Sequence, residues 1–238
     1  YEGEYDKTSY TYDDDGNLLT ITDPANNVWR YTYDLRGRKT VSEDPDLGRA
    51  EYTYDDADRL LTTKDARGTV LVNTYDTLGR KSAVYEGSTS GTKRAEWTYD
   101  TVAPGMPASS TRFVDGAAYR TEVTGYDAKG QPTGNRVTIP AVEDKLAGTY
   151  DFTTTYTSHG EIKTQTLPAV AGFEQETLTY GYDSFGLPTT LDGKNSYVKG
   201  TTYTPYGEIE SATGRSYADV LETQDAVLRV AELARRPL

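Results

Sequence analysis

Aromatic and aliphatic positions along this chain alternate with Thr and charged residues in short runs, and clusters of Asp, Gly and Pro punctuate the runs. The recurring segment is Tyr-x-Tyr, as in Tyr10 and Tyr12. Side chains two apart on a strand share a face, so each pair places two rings side by side on one surface. Asp-x-x-Gly follows directly. Asp accepts hydrogen bonds from backbone N–H groups just ahead of it, and Gly takes positive φ without steric cost. A type I turn closed by a left-handed Gly gives a three-residue hairpin loop with a bulge. The outgoing strand is Asn17-Leu18-Leu19-Thr20-Ile21-Thr22 in one copy and Arg38-Lys39-Thr40-Val41-Ser42 in the next. A second turn then returns the chain, as in Asp23-Pro24-Ala25-Asn26-Asn27 and Asp44-Pro45-Asp46-Leu47-Gly48. The predicted unit is two antiparallel strands and two turns.

The unit repeats in register. Tyr10, Tyr12, Asp13 and Gly16 are followed by Tyr31, Tyr33, Asp34 and Gly37, then by Tyr52, Tyr54 and Asp55 with Asp58 in the glycine place. A fourth copy has Tyr75, Asp76 and Gly79, with Asn73 replacing the first Tyr. Tyr12, Tyr33, Tyr54 and Tyr75 keep a constant step of 21 residues, a period typical of repeat architectures. Later copies drift. Trp97, Tyr99 and Asp100 lead into a longer turn; Tyr126, Asp127 and Gly130 follow, then Tyr156, His159 and Gly160. Tyr180, Tyr182, Asp183 and Gly186 restore the motif, and Tyr203, Tyr206 and Gly207 close the series without its Asp. One hairpin alone is marginal in water, but stacked hairpins that share a tyrosine face stabilise one another. The expected fold is all-β: about nine tandem antiparallel hairpins over residues 1–215, zipped into a curved or spiralling sheet. Residues 216–238 form a separate tail. Val220, Leu221, Val227, Leu228 and Ala231 fall near helical spacing, with Asp225/Arg229 and Glu232/Arg236 as i,i+4 pairs; a further strand is the competing expectation.

These motifs resemble the YD repeat of the RHS family, which includes bacterial polymorphic toxins, the C components of insecticidal toxin complexes, and the animal teneurins. The resemblance is carried by the copies around Tyr12, Tyr33, Tyr75 and Tyr182 and spans roughly residues 1–215. It implies a β-strip that spirals into a hollow shell, which encloses a C-terminal toxin in the toxin members and forms part of an adhesion ectodomain in teneurins. The partners it implies are the rest of such a shell and the polypeptide inside. It also implies secretion or a cell-surface location. The self-cleaving core segment that follows the repeats in toxin members has no counterpart here. Asp23-Pro24 and Asp44-Pro45 read as ordinary turn residues.

Composition sharpens the picture. Among 238 residues there are 21 Tyr, 22 Gly and no Cys. An ordered protein of this kind takes its apolar surface mainly from tyrosine rings, so the core should be thin. A net charge of −12 argues against nucleic acid and anionic membranes as main partners, since both require clustered Lys and Arg. No apolar run reaches the length of a membrane span. The opening residues Tyr1 to Asp6 do not read as a signal peptide, and the pattern is already under way there, as expected of a segment of something longer. Two open sheet edges are expected, and such edges invite self-association by strand addition.

Candidate chemistry is sparse, and no catalytic residue, metal ligand or cofactor site is assigned. His159 is the only histidine and stands at an ordinary turn position. No cysteine nucleophile exists. Gly87-Ser88-Thr89-Ser90-Gly91 reads as a flexible linker rather than a nucleophile elbow, for lack of a strand-to-helix context. Most Asp residues occupy one repeated turn position, which the repeat itself explains better than paired-acid glycoside hydrolysis. Asp13-Asp14-Asp15-Gly16-Asn17 lacks the Gly and Glu placement of a calcium loop. The tyrosine rows admit two readings, stacking along the strip or a ligand face for glycans or protein; regular placement favours stacking. The expected role is a non-catalytic wall piece, with an adhesion or carbohydrate- or protein-binding module as the alternative.

Overall fold

A computed structural model describes residues 6–170 and 172–214. The tail predicted over residues 216–238 lies outside the described residues. The chain forms one open antiparallel sheet of eighteen strands, with a single short 3-10 helix, Ala141–Leu146, among the described residues. Two compact units divide between Glu96 and Trp97, and each is described by itself.

The first unit holds β1 (Ser9–Tyr12), β2 (Leu18–Thr22), β3 (Val28–Tyr33), β4 (Lys39–Asp44), β5 (Gly48–Tyr54), β6 (Leu60–Lys64), β7 (Val70–Tyr75) and β8 (Lys81–Glu86). Strand β9 (Thr92–Tyr99) spans the division. The second unit continues with β10 (Pro107–Val114), β11 (Ala117–Tyr126), β12 (Pro132–Ile139), β13 (Gly148–Tyr156), β14 (Ile162–Leu167), β15 (Glu176–Tyr182), β16 (Pro188–Asp192), β17 (Ser196–Tyr203) and β18 (Ile209–Gly214). Within each unit every strand pairs with its neighbours in sequence, so the ladders form between near segments of chain.

Each Asp-x-x-Gly segment is a hairpin turn. In the first, the Gly16 amide donates to the Asp13 carbonyl at 3.1 Å, and the Asp13 amide donates to the Asn17 carbonyl at 3.0 Å. Gly16 sits at φ 85°, a left-handed conformation that glycine adopts without a Cβ clash. Asp58, in the glycine place of the third copy, takes φ 61°; Asp is among the few other residues that tolerate this region. The segment from Gly87 to Gly91, expected as a linker, is instead an ordered turn joining β8 to β9. The Gly91 amide donates to the Ser88 carbonyl at 2.8 Å and the Gly87 amide to the Val70 carbonyl at 2.8 Å. Its serines and glycines satisfy a tight turn, which composition alone does not separate from a tether.

The core is thin, as the composition implied. In the first unit Ala83, Val84 and Ala95 are buried beside Asn73. In the second, Tyr119, Val137, Ile139, Tyr150 and Val170 form a cluster backed by Val114, Ala117 and Phe152. Among the described residues the buried tyrosines are Tyr119, Tyr150 and Tyr197, none of them in the repeat motif. From Tyr31 onward the rings of the Tyr-x-Tyr strands are half-buried, whereas Tyr10 and Tyr12 are 54% and 59% exposed and Tyr206, in the turn of the last copy, is exposed.

Candidate functional site

The motif residues converge on one structure, the joint between successive repeats. The aspartate comes first. Asp34 Oδ1 accepts from the Arg36 amide at 2.9 Å and the Arg38 amide at 3.0 Å, while its Oδ2 accepts from Arg38 Nε at 2.7 Å. Asp55 does the same with Ala57, Arg59 and the Arg59 side chain, and Asp76 with Leu78, Arg80 and the Arg80 side chain. In the first copy Asn17 takes the place of arginine. Asp127 and Asp183 keep the two backbone bonds. Where the Asp is replaced by Thr157 or Thr204, the hydroxyl accepts the same two amides at 3.2–3.4 Å. The Arg38 side chain bonded to Asp34 holds that carboxyl below the usual carboxylate range. Asp55 is lowered first by the Arg59 amide and then by its guanidinium.

A second bulge, which the sequence pattern does not announce, sits beside the second tyrosine of each motif. Thr11 faces Thr20 but Tyr12 faces Leu18; Thr32 faces Val41 but Tyr33 faces Lys39; Thr53 faces Thr62 but Tyr54 faces Leu60. One residue of the outgoing strand is extra each time, which increases the local twist. On its other side, that strand stops pairing early. The ladders to the next repeat end at Thr20 with Arg30, Val41 with Glu51 and Thr62 with Val72. The carbonyls of Leu18, Lys39 and Leu60 lie two residues beyond those last pairs. A half-buried carbonyl without a partner costs free energy.

The second tyrosine of the following repeat supplies that partner. Its phenol donates to Leu18 from Tyr33 at 3.0 Å, to Lys39 from Tyr54 at 2.8 Å and to Leu60 from Tyr75 at 2.7 Å. The second unit repeats the bond, from Tyr126 to Pro107, Tyr156 to Pro132, Tyr182 to Ile162 and Tyr203 to Pro188, at 2.6–2.8 Å. In every copy the acceptor stands two residues after the turn's glycine position. Burial raises the phenol pKa of Tyr33, Tyr54, Tyr75, Tyr156 and Tyr182, so these groups remain donors across the neutral range. Where Asn73 replaces a first tyrosine, it is buried and its Nδ2 donates to the same Leu60 carbonyl at 3.0 Å. The turn arginine completes the joint, Arg38 lying 5.0 Å from the Tyr54 ring centre and Arg59 4.7 Å from that of Tyr75. One motif thus closes its own turn and fastens itself to its predecessor.

This joint matches a known pattern. The RHS repeat family model matches residues 12–46, the stretch that contains one complete joint and the turns on either side. Residues 12–46 carry an RHS repeat. The chain's fold recurs in the TcdB2–TccC3 complex without its hypervariable C-terminal region, with a TM-score of 0.73 and 19% identity over 88% of this chain. The Photorhabdus luminescens Tc holotoxin pore gives 0.69 and 20% over 87% of this chain. The chain spans 12% and 11% of those two chains. No curated protein matches it.

The remaining candidates of the sequence are dispersed. His159 is exposed at a turn tip, with Nδ1 3.4 Å from the Ser158 hydroxyl. Asp13 is bonded to Asp15 and Asn17 within its own turn. No cluster of three or more His, Cys, Asp or Glu able to hold a metal exists among the described residues. Likewise, no helix among them is long and apolar enough to cross a membrane. The motif tyrosine, aspartate and glycine were legible as a hairpin. The phenol-to-carbonyl bond, the second bulge and the arginine over the next ring were not. Their signal was the fixed 21-residue step of the first four copies together with the arginine four residues after Asp34, Asp55 and Asp76.

Proposed function

We propose that this chain is a non-catalytic wall segment of an exported RHS-type shell, and that the shell encloses or presents a polypeptide. The observation that carries this reading is the joint. Its tyrosine, aspartate, glycine and arginine are all engaged in fastening one repeat to the next, so the motif serves extension of a strip. A strip that grows by identical joints is suited to walling a volume. The fold shared with the Tc toxin structures supports the same reading, as do the half-buried rings along the strip. The partners are then further repeats at either sheet edge and the enclosed polypeptide. An isolated chain self-associates through the same edges.

The test uses the full-length polypeptide that contains these repeats. Limited proteolysis should leave one internal segment protected until the strip is unfolded, and electron microscopy should show a hollow particle. Uniform digestion with a filled, compact particle refutes the shell. Turnover of any member of a broad hydrolase substrate panel, lost on substitution of a single residue, refutes the non-catalytic part.

A further inference from the structure

Three aspartates in this chain stand directly before glycine: Asp15, Asp115 and Asp192. Such a step carries latent chemistry. The glycine amide nitrogen can attack the aspartate Cγ and close a five-membered succinimide, and a residue without a Cβ hinders that attack least. The three steps look alike in sequence, but the fold treats them differently. At Asp15 the nucleophile is engaged, the Gly16 amide donating to the Asp13 carbonyl at 3.1 Å. Asp13 Oδ1 also accepts from the Asp15 amide at 3.1 Å and the Asn17 amide at 2.7 Å, which fastens the turn on both sides. At Asp192 the Gly193 amide donates to the Asn195 carbonyl at 2.8 Å, and the side chains of Glu176, Leu178 and Tyr197 press around the glycine.

Asp115 differs on every count. Val114 pairs with Ala117, so Asp115 and Gly116 form a two-residue hairpin turn between β10 and β11. Their φ values, 49° and 82°, are both positive, the geometry of a type I′ turn. The bonds that close such a turn run between the flanking residues. Among the described residues neither the Gly116 amide nor the Asp115 carboxyl has a hydrogen-bond partner. Both residues are exposed, and a Cβ on Gly116 would meet nothing within 4 Å. Nucleophile and electrophile therefore lie on adjacent residues, unengaged, with open space for the ring.

We infer that Asp115–Gly116 is a self-modification site, at which the folded chain converts aspartate to isoaspartate without an enzyme. The Gly116 nitrogen bonds to Cγ of the carboxyl in its acid form, and the amide proton and the carboxyl hydroxyl leave together as water. Water then opens the succinimide. Addition at Cγ restores aspartate; addition at the former main-chain carbonyl leaves Gly116 linked through Cγ, as isoaspartate. The water lost in the first step returns in the second, so composition is unchanged and no oxidant or cofactor takes part. The main chain gains one carbon within a two-residue turn, and the freed α-carboxylate is a group that an isoaspartyl carboxyl methyltransferase esterifies. The inference is independent of whether the strip walls a shell, since it rests on one turn.

The full chain is aged at physiological temperature and neutral pH, digested, and analysed by electron-transfer mass spectrometry, which separates isoaspartate from aspartate at each step. Isoaspartate at Asp115 should accumulate at least about fivefold faster than at Asp15 or Asp192, equivalent to about 1 kcal/mol at the barrier, the scale of one amide hydrogen bond. In urea, where all three turns are dissolved, the three rates should converge. The proposal is overturned if Asp15 or Asp192 matches Asp115 in the folded chain, or if none of the three isomerises. It is equally overturned if the preference for Asp115 survives in urea, because it then belongs to the flanking sequence and not to the turn.

Discussion

Removing a single phenol oxygen tests the joint. Tyr54→Phe deletes the 2.8 Å bond to the Lys39 carbonyl, which no backbone donor reaches because the β4–β5 ladder ends at Val41. Losing one such bond, with the acceptor left half-buried, costs about 1–2 kcal/mol. Tyr75→Phe deletes an equivalent bond to Leu60, yet Asn73 Nδ2 still donates there at 3.0 Å. Its cost should therefore fall below about 0.5 kcal/mol. Both rings lie under an arginine at similar distance, 5.0 and 4.7 Å, so the change in cation–π attraction largely cancels between the two. Asn73→Ala combined with Tyr75→Phe leaves the Leu60 carbonyl bare, and the double variant should exceed the sum of the singles by about 1 kcal/mol. Urea denaturation of the full chain reads the costs. Hydrogen exchange by mass spectrometry assigns them to the local hairpins, since repeat arrays do not always unfold in one step. Equal costs for Tyr54→Phe and Tyr75→Phe, or additivity in the double variant, would refute the claim that the phenol substitutes for a missing ladder bond.

Other expectations follow from the same geometry. Gly16→Ala places a Cβ in open space at φ 85°, so it isolates backbone strain and should cost about 1–2 kcal/mol in the same denaturation assay. Ile139→Ala in the thin core of the second unit should cost about 2–5 kcal/mol, whereas a cost under 1 kcal/mol would show that the cluster does not hold that unit together. Acid dependence has a definite sign: Asp34 and Asp55 have folded pKa values below their unfolded ones, so their contribution is fully present above about pH 4 and disappears as pH falls through the lower folded values. Asp34→Asn should flatten the acid limb of a thermal-midpoint profile, and an unchanged limb would contradict the assignment. At the alkaline end the phenols of Tyr33, Tyr54 and Tyr75 have raised folded pKa values. Stability should hold up to about pH 10 and then decline as the donors ionise, as followed by the phenolate absorbance.

Much of this molecule is local, and local features are what a sequence displays. Tyr-x-Tyr sets two rings on one face because strands have a period of two, and Asp34 to Gly37 turns the chain because of bonds within five residues. Even Asp58 in place of glycine was interpretable, since its side chain tolerates left-handed backbone. The turn from Gly87 to Gly91 does not show in the sequence, because flexible and tightly turned Gly/Ser segments share one composition. Only the tertiary structure decided what links one hairpin to the next. The Tyr54 phenol reaches the Lys39 carbonyl across 15 residues, and that contact depends on a bulge and on where the β4–β5 ladder stops. Pattern determines the strands and turns because each is a short-range free-energy minimum; the joints arise from register, which is settled only when the strands have paired.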